Sequence, residues 1–179
     1  MPRDLIALAG VDHDLLVIGG GIQGATIAWD AALRGLRVAL VERDQFGAAT
    51  SANSLRIVHG GLRYLSRGDL PRMRESIRER STLLRIAPGL VEPLGVAIPT
   101  GAPGYPGRTA MALALRLNDL VSAGRNRHLL SSSHIPPGRL VSPAELAELC
   151  PPLRQIGSRG GALWHDARMS HPERLIYAF

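Results

Sequence analysis

The chain has no lysine, one cysteine and seven aromatic residues among its 179 positions. Without lysine, no Schiff-base or lysine-nucleophile mechanism can operate. A lone cysteine, Cys150, excludes an internal disulfide and any cysteine-cluster metal site, which suits a reducing compartment. Cys150 stands before Pro151 and Pro152 at an expected helix end and reads as a small buried residue. No apolar run is long enough to span a bilayer, and residues 1–10 lack the apolar core of a signal peptide. A cytoplasmic protein is expected, with contact at the inner face of the membrane left open. All 21 cationic side chains are arginine, against 15 acids, for a net charge of +6. Eight of them fall between Arg56 and Arg85 against three acids, so that segment carries five of the six net charges. A nucleic-acid footprint would need a basic face with interleaved aromatics. The few aromatics are scattered, and no nucleic-acid partner is expected.

What is present begins with a strand, a glycine turn and a helix. Residues 14–18, DLLVI, form a continuous apolar run that passes directly into glycines, as a buried parallel strand does. An alanine-rich helix is expected over 22–34, with Gly35 as its terminating glycine, and a second strand over 37–42, RVALVE. This is a β-α-β unit. Gly19-Gly20-Gly21-Ile22-Gln23-Gly24 fits G-x-G-x-x-G between the first strand and the helix, and Glu42 closes the second strand 18 residues after Gly24. Each position has a task. Gly19 makes the tight turn, Gly21 admits a pyrophosphate to the helix N-terminus, Gly24 lets helix and strand pack closely, and Glu42 accepts from ribose hydroxyls. A carboxylate there disfavours the phosphorylated ribose of NADP despite the adjacent Arg43, while NAD and FAD share this much of the pattern.

After a polar loop over 47–55 comes RIVHGGLRYL, residues 56–65, in which the adjacent Gly60 and Gly61 sit inside an apolar run. Such a pair costs backbone entropy in a regular element, so something must approach the backbone closely there. A loop of small residues beside a nucleotide turn suits a flat, wide ring such as a flavin. A helix is expected over 70–86, capped by Asp69, with Leu70, Met73, Ile77 and Leu84 as its apolar stripe and its charges mostly on a solvated face. Farther on, a short strand over 94–98, an apolar helix over 109–123, a helix opened by Ser142-Pro143-Ala144-Glu145, a strand over 160–164 and a last helix capped by Ser170 are expected. Only two strands of the parallel sheet are visible, and an apolar helix ends the chain at ERLIYAF. The expectation is an incomplete fold, the N-terminal piece of something larger.

Residues 17–43, then ATSANS, IVHGGLRYL and RESIRERSTLLRIAPGLVEPL, resemble the start of the FAD-dependent glycerol-3-phosphate dehydrogenases. These sit in a wider group with the D-amino-acid and glycine oxidases. Ser142-Pro143-Ala144-Glu145 and Asp166-Ala167-Arg168-Met169 follow that pattern too, and HGGLRYL is its most specific part. The resemblance implies an α/β fold, with a Rossmann-like FAD-binding domain begun by residues 12–86 and a discontinuous α+β substrate domain begun by residues 87–179. It implies that Gly19, Gly20, Gly21, Ile22, Gly24, Glu42, Thr50, Ser51, His59, Gly60 and Gly61 contact FAD. Arg63 and Tyr64 would stand at the substrate, where a guanidinium offers a planar fork to phosphate. Apart from the motif, Arg63 reads as one surface arginine among many, and His59 is equally open to a hydrogen-bonded structural role. The implied reaction oxidises sn-glycerol 3-phosphate to dihydroxyacetone phosphate and passes electrons to a quinone. An amine or 2-hydroxy-acid oxidase of the same group and a non-catalytic fragment are the alternatives. No residue is assigned to proton transfer, and no metal is expected. Where the family tends to Ser-Ser-Lys-Leu, this chain has Ser54-Leu55-Arg56-Ile57.

Overall fold

The apolar runs and their glycine punctuation map onto two compact units in a computed structural model that describes residues 5–179. One unit runs to Arg56 and takes back His171–Phe179; the other is Ile57–Ser170. The division expected at residue 86 therefore falls inside the second unit, at the end of a helix.

The first unit contains a short helix α1 (Leu5–Ala9), strand β1 (Leu15–Ile18), helix α2 (Ile22–Leu33) and strand β2 (Val38–Val41). The two strands pair in parallel, from Leu15 opposite Val38 to Ile18 opposite Val41. Asp14 fastens their entrance, its carboxylate accepting the Arg37 backbone N–H at 2.8 Å and pairing with the Arg37 guanidinium. α2 ends as its sequence suggests. Gly35 takes φ +84°, and the N–H groups of Gly35 and Leu36 close on the carbonyls of Ala32 and Ala31. The strand expected to be buried on both faces is buried on one: Val17 is covered, whereas Leu16 and Ile18 are 55% and 82% exposed. Val17 faces α2 close to Gly24, and side chains alternate along a strand. The last helix, α6 (Pro172–Ala178), belongs to this unit. Its ring contacts are Phe179 with Trp29 at 5.4 Å and Tyr177 with Phe46 at 5.6 Å. His171, not Ser170, occupies its N-cap position. The Ser170 hydroxyl is spent on Glu92, to which it donates at 3.2 Å.

The second unit is built on an antiparallel sheet. Strand β6 (Gly161–Met169) is central, with β4 (Val91–Pro99) along one edge and β5 (Arg139–Val141) and β3 (Ile57–Val58) along the other. Both β4 and β6 are longer than the strands expected from sequence. β4 runs through Pro93 to Pro99; as an edge strand it can leave a proline without a ladder donor on its outer side. β6 continues through the polar run His165-Asp166-Ala167-Arg168, which looks like a strand's end until its partners are seen. β5 and a 3-10 turn over Pro151–Ile156 went unread in sequence. Helix α3 (Leu70–Ile86) begins as expected, Asp69 accepting from the Arg72 N–H at 3.1 Å. Helix α4 (Arg108–Val121) lays Met111 and Leu115 on Ala162, Trp164, Ile98 and Leu140, with Leu62 joining the cluster. Burial of each such side chain contributes about 1.5–3 kcal/mol. Helix α5 (Pro143–Leu149) is capped by Ser142, whose hydroxyl accepts from the Glu145 N–H at 3.1 Å.

Candidate functional site

The glycine turn between β1 and α2 is held by contacts that leave no room for side chains. Gly19 takes φ +110°, a conformation L residues rarely adopt. A Cβ on Gly24 would overlap the Gly19 carbonyl oxygen and lie 3.1 Å from its carbon, so strand and helix touch through this residue. A Cβ on Gly20 would run into the Phe46 ring and meet the Cβ of Glu42 at 3.0 Å. Gly21 caps α2, and a Cβ there would lie 3.2 Å from the Ser51 hydroxyl. Ser51 in turn accepts the Ile22 N–H at 3.0 Å, taking one of the free donors of the helix's first turn.

Glu42 leaves the end of β2 and turns back to this turn. One carboxylate oxygen accepts the Gly20 N–H at 2.6 Å and the other the Asp44 N–H at 3.0 Å. These contacts, the one from Gly20 foremost, hold its carboxyl below the usual glutamate range. Each oxygen keeps a lone pair for a further donor such as a ribose hydroxyl. A cavity of about 170 Å³ opens here, lined by Gly21, Glu42, Asp44, Gln45, Ala48 and Ser51 among others. Thr50 is exposed and not among its lining residues. A positive helix end, a glycine cradle that a Cβ would fill and an ionised carboxylate fit the ADP half of a dinucleotide.

The second unit holds the other expected group. His59 and Tyr64 meet edge to face with ring centroids 5.9 Å apart, and the Arg63 guanidinium carbon is 5.8 Å from the centre of the Tyr64 ring. Arg63 and Tyr64 lie on a 3-10 turn, Leu62–Arg67, entered through Gly61 at φ +76°. His59 and Arg63 are exposed, and among the described residues Arg63 makes no ion pair. For Gly60 there is an internal reason to be glycine. A Cβ there would fall 2.6 Å from the guanidinium carbon of Arg80 and closer still to its Nη1.

Arg80 is the functional-looking residue that the sequence pattern does not single out, and Asp166, there one position of the run 166–169, is its partner. Arg80 is 1% exposed on α3, against the expectation of a solvated charged face, and its ion pair with Asp166 is 3.1 Å long. Burial pulls the Arg80 pKa down from its ordinary value, and Asp166 opposes that shift. A signal was present: Met73, Ile77, Arg80 and Leu84 follow the four-, three- and four-residue steps of one helical face.

A sequence profile described as FAD dependent oxidoreductase matches residues 14–179. The glycerol-3-phosphate dehydrogenase of Synechocystis sp. is 37% identical over 173 residues, covering 97% of this chain and 30% of its own length. Glycerol-3-phosphate dehydrogenase 1 of Mycobacterium tuberculosis is 41% identical over 182 residues, covering 98% of this chain and 34% of its own. Among solved structures, the glycerol-3-phosphate dehydrogenase from Bacillus halodurans complexed with FAD superposes with TM-score 0.58 at 26% identity, over 92% of this chain and 23% of that one. The chain thus spans about a third or less of the length of these relatives. It belongs to the FAD-dependent oxidoreductase family.

Proposed function

We propose, starting from membership of that family, that the chain is part of an enzyme that oxidises sn-glycerol 3-phosphate to dihydroxyacetone phosphate and delivers the electrons to a quinone. The observation that carries this reading is the turn Gly19–Gly24 tied to Glu42, a built dinucleotide cradle. The relatives' names supply the substrate class. FAD, when bound, supplies the acceptor for the electron pair removed from the alcohol.

The roles assigned to this chain's residues follow from their chemistry. The Gly21 amide and the N-terminus of α2 receive the pyrophosphate, the Gly20 and Ile22 amides being held by Glu42 and Ser51, with Gly19 and Gly24 keeping the approach open. Glu42 orients the adenosine ribose, and the Thr50 and Ser51 hydroxyls donate to cofactor oxygens. His59 offers its exposed ring to the cofactor, while Gly60 and Gly61, buried against Arg80 and the Met73 backbone, let the segment behind it pack closely. Arg63 grips the substrate phosphate, its guanidinium steadied by the Tyr64 ring. No helix among the described residues is long and apolar enough to cross a membrane. Peripheral contact at the inner membrane face belongs to the same proposal, as the place where a quinone would be met.

Arg63→Ala in the full-length protein tests this. A charge-assisted contact is worth about 1.5–3 kcal/mol, so efficiency with glycerol 3-phosphate should fall by about one to two decades. Activity with glycerol, which has no phosphate, and flavin absorbance should both hold. Equal loss on both substrates would return Arg63 to a structural role. Preference for an amino or 2-hydroxy acid in a substrate panel would favour a carboxylate as its partner.

A further inference from the structure

Three donors from separate parts of the second unit converge on one carboxylate. Asp166 Oδ1 accepts the Gly60 N–H at 2.6 Å and Arg80 Nη1 at 3.1 Å, and Oδ2 accepts the Trp164 indole N–H at 3.2 Å. Arg80 Nη1 also donates to the His165 carbonyl at 2.8 Å. The pair is costly as a stabilising device. Arg80 and Asp166 are 1% and 7% exposed, and Arg80 Nε and Nη2 have no hydrogen-bond partner among the described residues. A buried ion pair with unmet donors contributes little against an apolar pair of similar volume. What it does supply is position. β6 is the central strand, fixed by neighbours on both edges, and Asp166 is the point at which it takes hold of Gly60. Gly60 lacks a Cβ, so the guanidinium approaches its backbone through the space a Cβ would fill. One residue later the chain turns left-handed at Gly61 and enters the 3-10 turn that carries Arg63 and Tyr64.

We propose that Asp166, held in place by Arg80, is the positioning residue that aims Arg63 and Tyr64 at a phosphorylated substrate. The proposal rests on the substrate role given to those two residues above. It assigns neither Arg80 nor Asp166 a contact with substrate or cofactor. Their effect is transmitted through the Gly60 amide and the rigid turn that follows.

Two double variants of the full-length, FAD-loaded protein separate positioning from stability. R80M/D166N and R80M/D166L both remove the two buried charges and the acceptor for Trp164. The first keeps an amide oxygen for the Gly60 N–H, and the second does not. In R80M/D166L, amide exchange over residues 57–64 should quicken by about tenfold or more, and KM for glycerol 3-phosphate should rise by about tenfold at nearly constant kcat. Flavin absorbance should stay unchanged. R80M/D166N should fall between the parent and the leucine variant in exchange and KM, because the acceptor for Gly60 remains but Arg80 no longer holds it, so that loss of the acceptor and not of the charges separates the two variants. Identical behaviour of the two variants, or unaltered exchange in R80M/D166L, overturns the proposal. Faster exchange with unaltered KM overturns it as well, and Arg63→Ala then tells whether the substrate assignment itself has failed. If the leucine variant does not fold, Gly60→Ala replaces it. Its methyl group pushes the guanidinium off the turn with both charges retained, and the same exchange and KM changes are expected.

Discussion

Substituting alanine for Gly24 sets two effects of opposite sign against each other. Within a helix, alanine is favoured over glycine by about 0.8–1.0 kcal/mol, so at an unconstrained site the change would strengthen α2. At Gly24 the new Cβ would overlap the Gly19 carbonyl oxygen, with the carbonyl carbon at 3.1 Å and Val17 Cγ1 at 3.4 Å. The first two are backbone atoms, so no rotamer change relieves them, and α2 must move off the end of β1 by something on the order of 1 Å. Overpacking of this kind costs about 1–3 kcal/mol, and here it falls on a backbone that cannot yield cheaply, toward the upper end. Strain wins, with a net loss of about 1–2 kcal/mol. The chain's two tryptophans make this measurable. Trp29 lies in α2 and Trp164 in β6, so fluorotryptophan labelling gives each unit its own NMR reporter. In a urea titration the Trp29 signal of Gly24→Ala should lose its folded form at lower denaturant than the parent. Gly35→Ala is the control. Its Cβ would meet nothing within 4 Å, so whatever it costs comes from φ +84° alone. A higher Trp29 midpoint in Gly24→Ala would refute the contact between helix and strand.

Two further outcomes are expected. Because Glu42 is held below its ordinary value of 4.5, the contribution of its contacts to stability is complete above that value and is lost as pH falls through the lower folded-state pKa. Glu42→Gln should therefore flatten the acid limb of the stability profile, followed by the Trp29 signal, and an unchanged limb would mean the Gly20 contact is not made in solution. Expressed as these residues alone, the chain should self-associate, because β1 pairs only with β2 among the described residues and shows Leu16 and Ile18 on an open face. Sedimentation velocity checks this, and a monomer with one sharp unfolding transition would contradict it.

What could be read in the sequence is what is local to it. The β1–α2–β2 unit was legible because apolar runs, the glycine spacing and Gly35 each act within a few residues of themselves. Glu42 was legible by its distance from Gly24, but its bond to the Gly20 amide was not, since that bond depends on how β2 turns back. Prolines hid the length of β4, because a proline's missing donor matters only when the strand's edge position is known. The polar run at residues 165–168 hid the second half of β6, because a carboxylate in a central strand makes sense only once a buried cation is found 86 positions earlier in the chain. Gly60 shows the limit most plainly. Read alone, the glycine pair in RIVHGGLRYL calls for something flat pressed against the backbone, and the local pattern offers only a bound ring as the candidate. In the structure the flat group against Gly60 is the guanidinium of Arg80, a planar cation from the chain itself, delivered by a helix whose apolar stripe it interrupts. Gly61 has a separate reason, its left-handed φ, and for it a Cβ would meet the Met73 backbone at 3.1 Å. The two neighbouring glycines therefore answer to two different constraints. A substitution at either one should be interpreted through α3 before it is credited to a cofactor.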